Sequence, residues 1–126
     1  MLRSYRELRA WARAVDLAET TYRATVAFPR EEQFGVTSQM RRAAVSVSAN
    51  IAEGYGRLHR GEYLHHLGIA RGSLYELETH AVIAARLGFL RPVDDATLRE
   101  HTETSSRTLN RLIVSLQPPA ARTLRR

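Results

Sequence analysis

The chain has 126 residues, no cysteine, and 19 basic against 13 acidic residues, a net charge of +6. That length predicts one domain with a core that stands without staples. The missing cysteines exclude a disulfide framework, a thiolate metal site and a cysteine nucleophile.

Every basic residue is Arg. A GC-rich genome would produce this, and so would a protein that meets phosphate, which Arg grips bidentately. The basicity lies at the chain ends: residues 1–30 hold six Arg and three acids, residues 91–126 seven Arg and four acids, and residues 61–90 two Arg and three Glu. The N-terminus lacks the apolar run of a signal peptide. No segment approaches the ~18 consecutive apolar residues of a membrane span. The expectation is a cytoplasmic protein that does not enter the membrane.

The first helix is predicted from Ser4 to Phe28. Ser4 and Glu7 have the spacing of a capping box. Leu8, Trp11, Val15, Ala18 and Tyr22 recur at helical spacing as its apolar face. Arg3, Arg6, Arg9 and Arg13 fall on the other side, where a solvated face and a phosphate-contact face are equally compatible. Pro29 ends the helix.

The second helix is predicted from Thr37, as N-cap, to Gly54. Met40, Ala44, Val47 and Ile51 form one stripe, and Val45, Ser48, Ala52 and Tyr55 another. Ser46, Asn50 and Glu53 form a polar third, with Arg42 at its N-terminal end. Between Arg42 and Glu53 there is no charge, so the helix is expected to be covered on more than one side. Gly54 and Gly56 are expected to break it with positive φ.

The third helix is predicted from Gly61 to Leu87. Tyr63, Leu67, Ala70, Leu74, Leu77, Ala81 and Ala84 repeat at the spacing of a left-handed helix seam. Gly68 and Gly72 lie on its other side, where each costs about 1 kcal/mol relative to Ala, as if another backbone approached. The fourth helix is predicted from a cap at Asp94 or Asp95 to Leu116. Leu98, Thr102, Ser105, Leu109, Leu112 and Leu116 face in, and Arg99, Arg107 and Arg111 face out.

Four helices with short connections predict an all-α, antiparallel up-and-down four-helix bundle over residues 1–117, with a basic tail over 118–126. The register expected from the turn near Arg57 sets Asn50 beside His65 and Ser46 beside Gly68 or Ile69. Helices two and three carry more apolar surface than a monomer would leave in water, which predicts a homo-oligomer.

No catalytic constellation emerges, and the chain is expected to be no enzyme. Glu62-x-x-His65 has the spacing used in di-iron bundles, but the required second copy is missing. No metal or other cofactor is expected, even with His59 and His66 nearby. Gly54-x-Gly56 follows a helix and lacks the third glycine of a dinucleotide loop. Trp11, Tyr22 and Tyr63 occupy core-like positions, so a base-stacking platform is not indicated. Arg3, Arg6, Arg9, Arg13, Arg107 and Arg111 are the candidate phosphate contacts. Arg42, Ser46, Asn50 and Glu53 are read as a packing and assembly set, with Asn50 and Glu53 buried and bonded near the turn or across a subunit interface.

The segments FGVTSQMRRAAVSVSANIAEGYGR (34–57) and EYLHHLGIARGSLYELETH (62–80) resemble the signatures of the four helix bundle, or 23S rRNA intervening-sequence, protein family. The opening LRAWARAVDLAETTYRATVAFPREEQFG is similar to its first helix. The likeness spans residues 5 to 116 and implies a four-helix bundle assembled as a homopentamer. Members are encoded within intervening sequences of bacterial 23S rRNA genes, which makes RNA the expected partner ahead of DNA. A distantly similar basic pentamer serves diversity-generating retroelements by binding reverse transcriptase and nucleic acid. The alternative expectation is therefore a scaffold for a protein partner.

Overall fold

The computed structural model describes residues 2–119. The basic tail expected over 118–126 lies, beyond Pro119, outside the described residues. Four α-helices follow in order: α1 (Arg9–Thr25), α2 (Val36–Tyr55), α3 (Arg60–Arg86) and α4 (Pro92–Leu116). Each packs on its neighbours in the cycle α1–α2–α3–α4–α1. Hydrogen bonds fix the antiparallel sense. Tyr55 Oη at the end of α2 donates to Leu2 O, 3.1 Å, while Arg41 Nε near its start donates to Thr25 Oγ1 at the end of α1, 2.8 Å. Arg71 of α3 donates to Asn110 Oδ1 of α4 at 3.3 Å. The expected up-and-down bundle is the fold.

The first helix begins later than its capping box predicts. Ser4 Oγ accepts from Arg6 N at 3.1 Å and Glu7 Oε1 accepts from Arg3 N at 2.5 Å, but these bonds close a 3-10 turn at Tyr5–Glu7. Leu8 is then extended (φ −72°, ψ 125°) and caps α1 without a side-chain bond. The face of α1 also differs. Its buried stripe is Ala10, Ala14, Leu17, Thr21 and Ala24. Val15 and Tyr22, expected inside, are 38% and 45% exposed. The narrow Ala and Thr side chains let neighbouring helices close in, and the bulky ones ride the flanks. Thr21 and Thr25 remain in the core because their hydroxyls donate to Leu17 O and Thr21 O, both at 2.8 Å.

The seam of α3 is as expected: Leu67, Ala70, Leu74, Leu77, Ala81 and Ala84 are buried. Its end is a Schellman turn, with Gly88 at φ 80° and Phe89 N donating to Ala84 O at 2.9 Å. The glycines ending α2 act otherwise. Gly54 is helical and buried, and Gly56 has φ −79°, so neither uses positive φ. Thr37 is inside α2 rather than capping it, because Gly35 is the N-cap. α4 starts at Pro92, whose missing N–H costs nothing at N1, and Asp94 and Asp95 fall within its first turn. Its buried stripe runs Leu98, Thr102, Ser105, Leu109 and then Ile113, with Leu112 and Leu116 only half-buried.

Candidate nucleic-acid interface

Arg9 and Arg13 are exposed on α1. At about 100° per residue they lie on the flank opposite Tyr22. Tyr22 meets Arg41 of α2, so the arginine flank is turned toward α4. Arg107 and Arg111 are exposed one turn apart on the outer side of α4, bounding an open hollow of about 510 Å³ with Asn110 and Val114. Arg9 and Arg13 thus flank α1, while Arg107 and Arg111 stand on the outer face of α4. Arg3 and Arg6 do not continue the α1 stripe, since they precede the extended Leu8; the Arg6 guanidinium lies 5.8 Å from the Tyr5 ring centroid. Arg13 meets Asp16 at 3.6 Å, half-exposed on both sides. Arg3, Arg9, Arg107 and Arg111 form no ion pair among the described residues.

The polar set on α2 divides. Ser46 and Ser73 join hydroxyls across the α2–α3 contact at 2.8 Å. Asn50 Nδ2 donates to Ser46 O at 2.9 Å and Ser46 Oγ at 3.0 Å. Asn50 Oδ1 can only accept, so His66 Nδ1, 3.2 Å away, carries the proton. The register expected from the sequence is therefore corrected: Asn50 meets His66, not His65, and Ser46 meets Ser73, not Gly68 or Ile69. Glu53 is exposed and pairs only with Arg57, one turn on, at 3.6 Å. Arg42 is exposed and makes no ion pair among the described residues. The polar stripe is a helix–helix bridge at Ser46 and Asn50, and a solvated surface at Arg42 and Glu53.

Other charged groups are spent locally. Arg91 binds Asp94 at 2.8 Å and Arg99 binds Asp95 at 2.6 Å. Between α3 and α4, a groove of about 430 Å³ has Ala81, Val82 and Leu98 on its floor and Glu78 and Glu103 at its rim. Burial, then the neighbouring Glu103 charge, push the Glu78 carboxyl above the usual carboxylate range. Among the described residues no three His, Asp, Glu or Cys side chains converge as metal ligands; His65 and His66 stack edge to face, 5.9 Å apart. No helix among the described residues is long and apolar enough to cross a membrane.

Apolar side chains remain outside on two sides of the bundle. Ile69, Tyr75 and Ile83 are 41–52% exposed on the outer face of α3. Gly68 and Gly72 lie beside them, and a Cβ added at either would touch nothing. The backbone approach expected at these glycines thus does not come from the described residues of the chain. Val15 and Val45, 38% and 44% exposed, are further apolar side chains left outside, on α1 and α2.

Residues 6–111 match the profile of the 23S rRNA-intervening sequence proteins. The chain belongs to this family. Among solved structures, it is similar to a protein of unknown function from the S23 ribosomal protein family of Bacteroides thetaiotaomicron VPI-5482. The TM-score is 0.73 at 19% identity, covering 82% of this chain and 94% of the other, which supports the fold. No curated protein matches.

Proposed function

We propose that this 23S rRNA-intervening sequence protein is a non-enzymatic, cytoplasmic homo-oligomer that binds structured nucleic acid, RNA ahead of DNA, along the outer faces of α1 and α4. The carrying observation is that Arg3, Arg9, Arg107 and Arg111 lack acidic partners among the described residues, in a chain of net charge +6. Exposed guanidinium groups without acidic partners suit a phosphate backbone, which rewards charge more than base identity. Arg6 and Arg13 add to the field. The family's rRNA association favours RNA.

Exposed apolar side chains on separate elements support the oligomer. A two-fold dimer buries one self-complementary patch, whereas a closed ring needs two different patches that fit each other. Exposed apolar side chains on α3 and on α1/α2 are compatible with such a ring, and the resemblance to pentameric bundles favours five subunits.

The test is fluorescence anisotropy with a structured 23S rRNA fragment. Six phosphate contacts give a log–log salt slope near −5, a loss of about 10³-fold between 50 and 200 mM salt. Replacing Arg107 and Arg111 together by Ala should reduce that slope by about 2. Binding no better than that of a neutral helical protein at low salt refutes the reading.

A further inference from the structure

At the α1–α2 end of the bundle, aromatic rings and guanidinium groups gather that the proposed α1 and α4 contacts do not use. Phe34 precedes α2 and is 88% exposed. Tyr22 lies under Arg41, whose guanidinium carbon is 4.7 Å from the ring centroid. Arg41 is held there by its 2.8 Å bond to Thr25 Oγ1. Phe34, Tyr22, Arg41 and Arg42 border a hollow of about 300 Å³ with Gln33, Thr37 and Ser38. A second hollow, about 330 Å³, shares Gln33, Thr37 and Arg41 and adds Arg30. No acidic side chain lines either one. Thr37 is 7% exposed, and its Oγ1 is buried without a hydrogen-bond partner. The helix dipole contributes little, because Glu32 Oε1 already accepts from Val36 N at 3.3 Å.

We infer that this end of the bundle holds an unpaired nucleotide of a nucleic-acid strand. The base stacks on Phe34 beside the fixed Tyr22–Arg41 pair, as bases do on aromatic and guanidinium planes in single-strand recognition. Gln33 and Ser38 offer hydrogen bonds to its polar edge. Arg42 takes the phosphate, and Arg30, in the adjoining hollow, the next phosphate along. An acidic peptide would use the arginines and leave the rings idle. An apolar helix would cover the rings while burying guanidinium groups without counter-charge, at high cost. The inference rests on the nucleic-acid reading above and adds to it: the arginine face takes folded backbone, and this hollow takes a base outside a duplex, from a loop or an end.

The experiment uses the full-length protein with a labelled ten-nucleotide single-stranded RNA, the blunt duplex of the same sequence, and a free nucleoside monophosphate as competitor. Phe34→Ala should weaken single-strand binding about fivefold or more and duplex binding less than twofold. Phe34→Trp should retain the single-strand affinity. Arg42→Ala should weaken the single strand, and the Arg107→Ala, Arg111→Ala pair should weaken the duplex. Phe34 is exposed, so its replacement leaves the core intact, and a circular-dichroism melt checks this. Unchanged single-strand binding by Phe34→Ala, in a protein that still binds duplex, overturns this inference alone. Failure of the wild type to bind either nucleic acid overturns the arginine-face reading as well. A monophosphate that binds as tightly as the strand overturns the assignment to a strand.

Discussion

Replacing Gly54 by Ala tests a close approach of α2 to α3. A Cβ at this position would lie 2.9 Å from His66 Cβ, 3.0 Å from Tyr63 Cδ1 and 3.2 Å from Tyr63 O. Carbon atoms pack best at about 3.5–4.0 Å. The α3 segment must therefore retreat by about half an ångström, since two of these atoms are fixed to its backbone. Retreat also stretches the 3.2 Å bond between His66 and Asn50. Overpacking costs about 1–3 kcal/mol and the weakened hydrogen bond up to about 1 kcal/mol. The better helix propensity of Ala returns at most about 1 kcal/mol. With each contribution near its middle value the balance is a destabilisation of about 2 kcal/mol, and Tm should fall by roughly 6 °C. Urea unfolding followed by circular dichroism should show a lower midpoint with an unchanged m value. Gly61→Ala is the control: nothing lies within 4 Å of its Cβ, so stability should hold or rise. If Gly54→Ala is as stable as the wild type, the α2–α3 spacing at Tyr63 and His66 is not what sets Gly54.

Asn50→Ala should cost about 1 kcal/mol, because it removes the bond to His66, whereas Glu53→Ala should stay within about 0.5 kcal/mol, its partner being a solvated Arg57. Equal losses in parallel urea titrations would contradict the division of the polar stripe. Ile83→Asp should lower the mass measured by light scattering while leaving the helical content intact, since Ile83 is 45% exposed within the protomer; an unchanged mass would remove the α3 face from the assembly. Glu78→Gln should raise the urea midpoint at pH 7. The folded state raises the pKa of Glu78, so its favourable contribution is complete below the usual carboxylate range and is lost as pH climbs through the folded value. The gain should vanish near pH 3.5, and a gain that persists there would point to packing instead of ionisation.

The four helices were legible in the sequence because prolines, glycines and a 3.6-residue period all mark the same boundaries. The face of α1 was not. Leu8, Trp11 and Ala18 pack in or against the core as their spacing predicts, but Val15 and Tyr22 lie outside and the main contact is made by the smaller stripe of Ala10, Ala14, Leu17, Thr21 and Ala24. Thr qualifies for that seam only because its hydroxyl can bond back to the preceding turn, which a polarity count does not credit. The α2–α3 register was misplaced for a related reason. Counting outward from the turn fixes a partner only to within about one helical turn, and the Ser46–Ser73 and Asn50–His66 bonds select the register. The spacing of Tyr22 predicts a core position, and nothing in the sequence around Phe34 marks a site. Both are exposed beside arginines, a juxtaposition that forms only when α1 and α2 fold against each other.

The arginine face shows how far local spacing can go. Arg13 has Asp16 three residues on, and Arg99 has Asp95 four residues before; both pair as the helical period predicts. Arg9 and Arg111 have no acid within reach along their helices, so their availability is written in the sequence. Arg107 is different. Glu103 precedes it by four residues, the favourable order for a pair, yet the two form none. Glu103 lines the α3/α4 groove instead, where its charge acts on Glu78 across the helix contact. The free charge on Arg107 is thus a consequence of tertiary packing. Glu103 and Arg107 share one flank of α4, yet the carboxylate is drawn to the groove beside Glu78 and the arginine is left without an acidic partner among the described residues, available to an external anion.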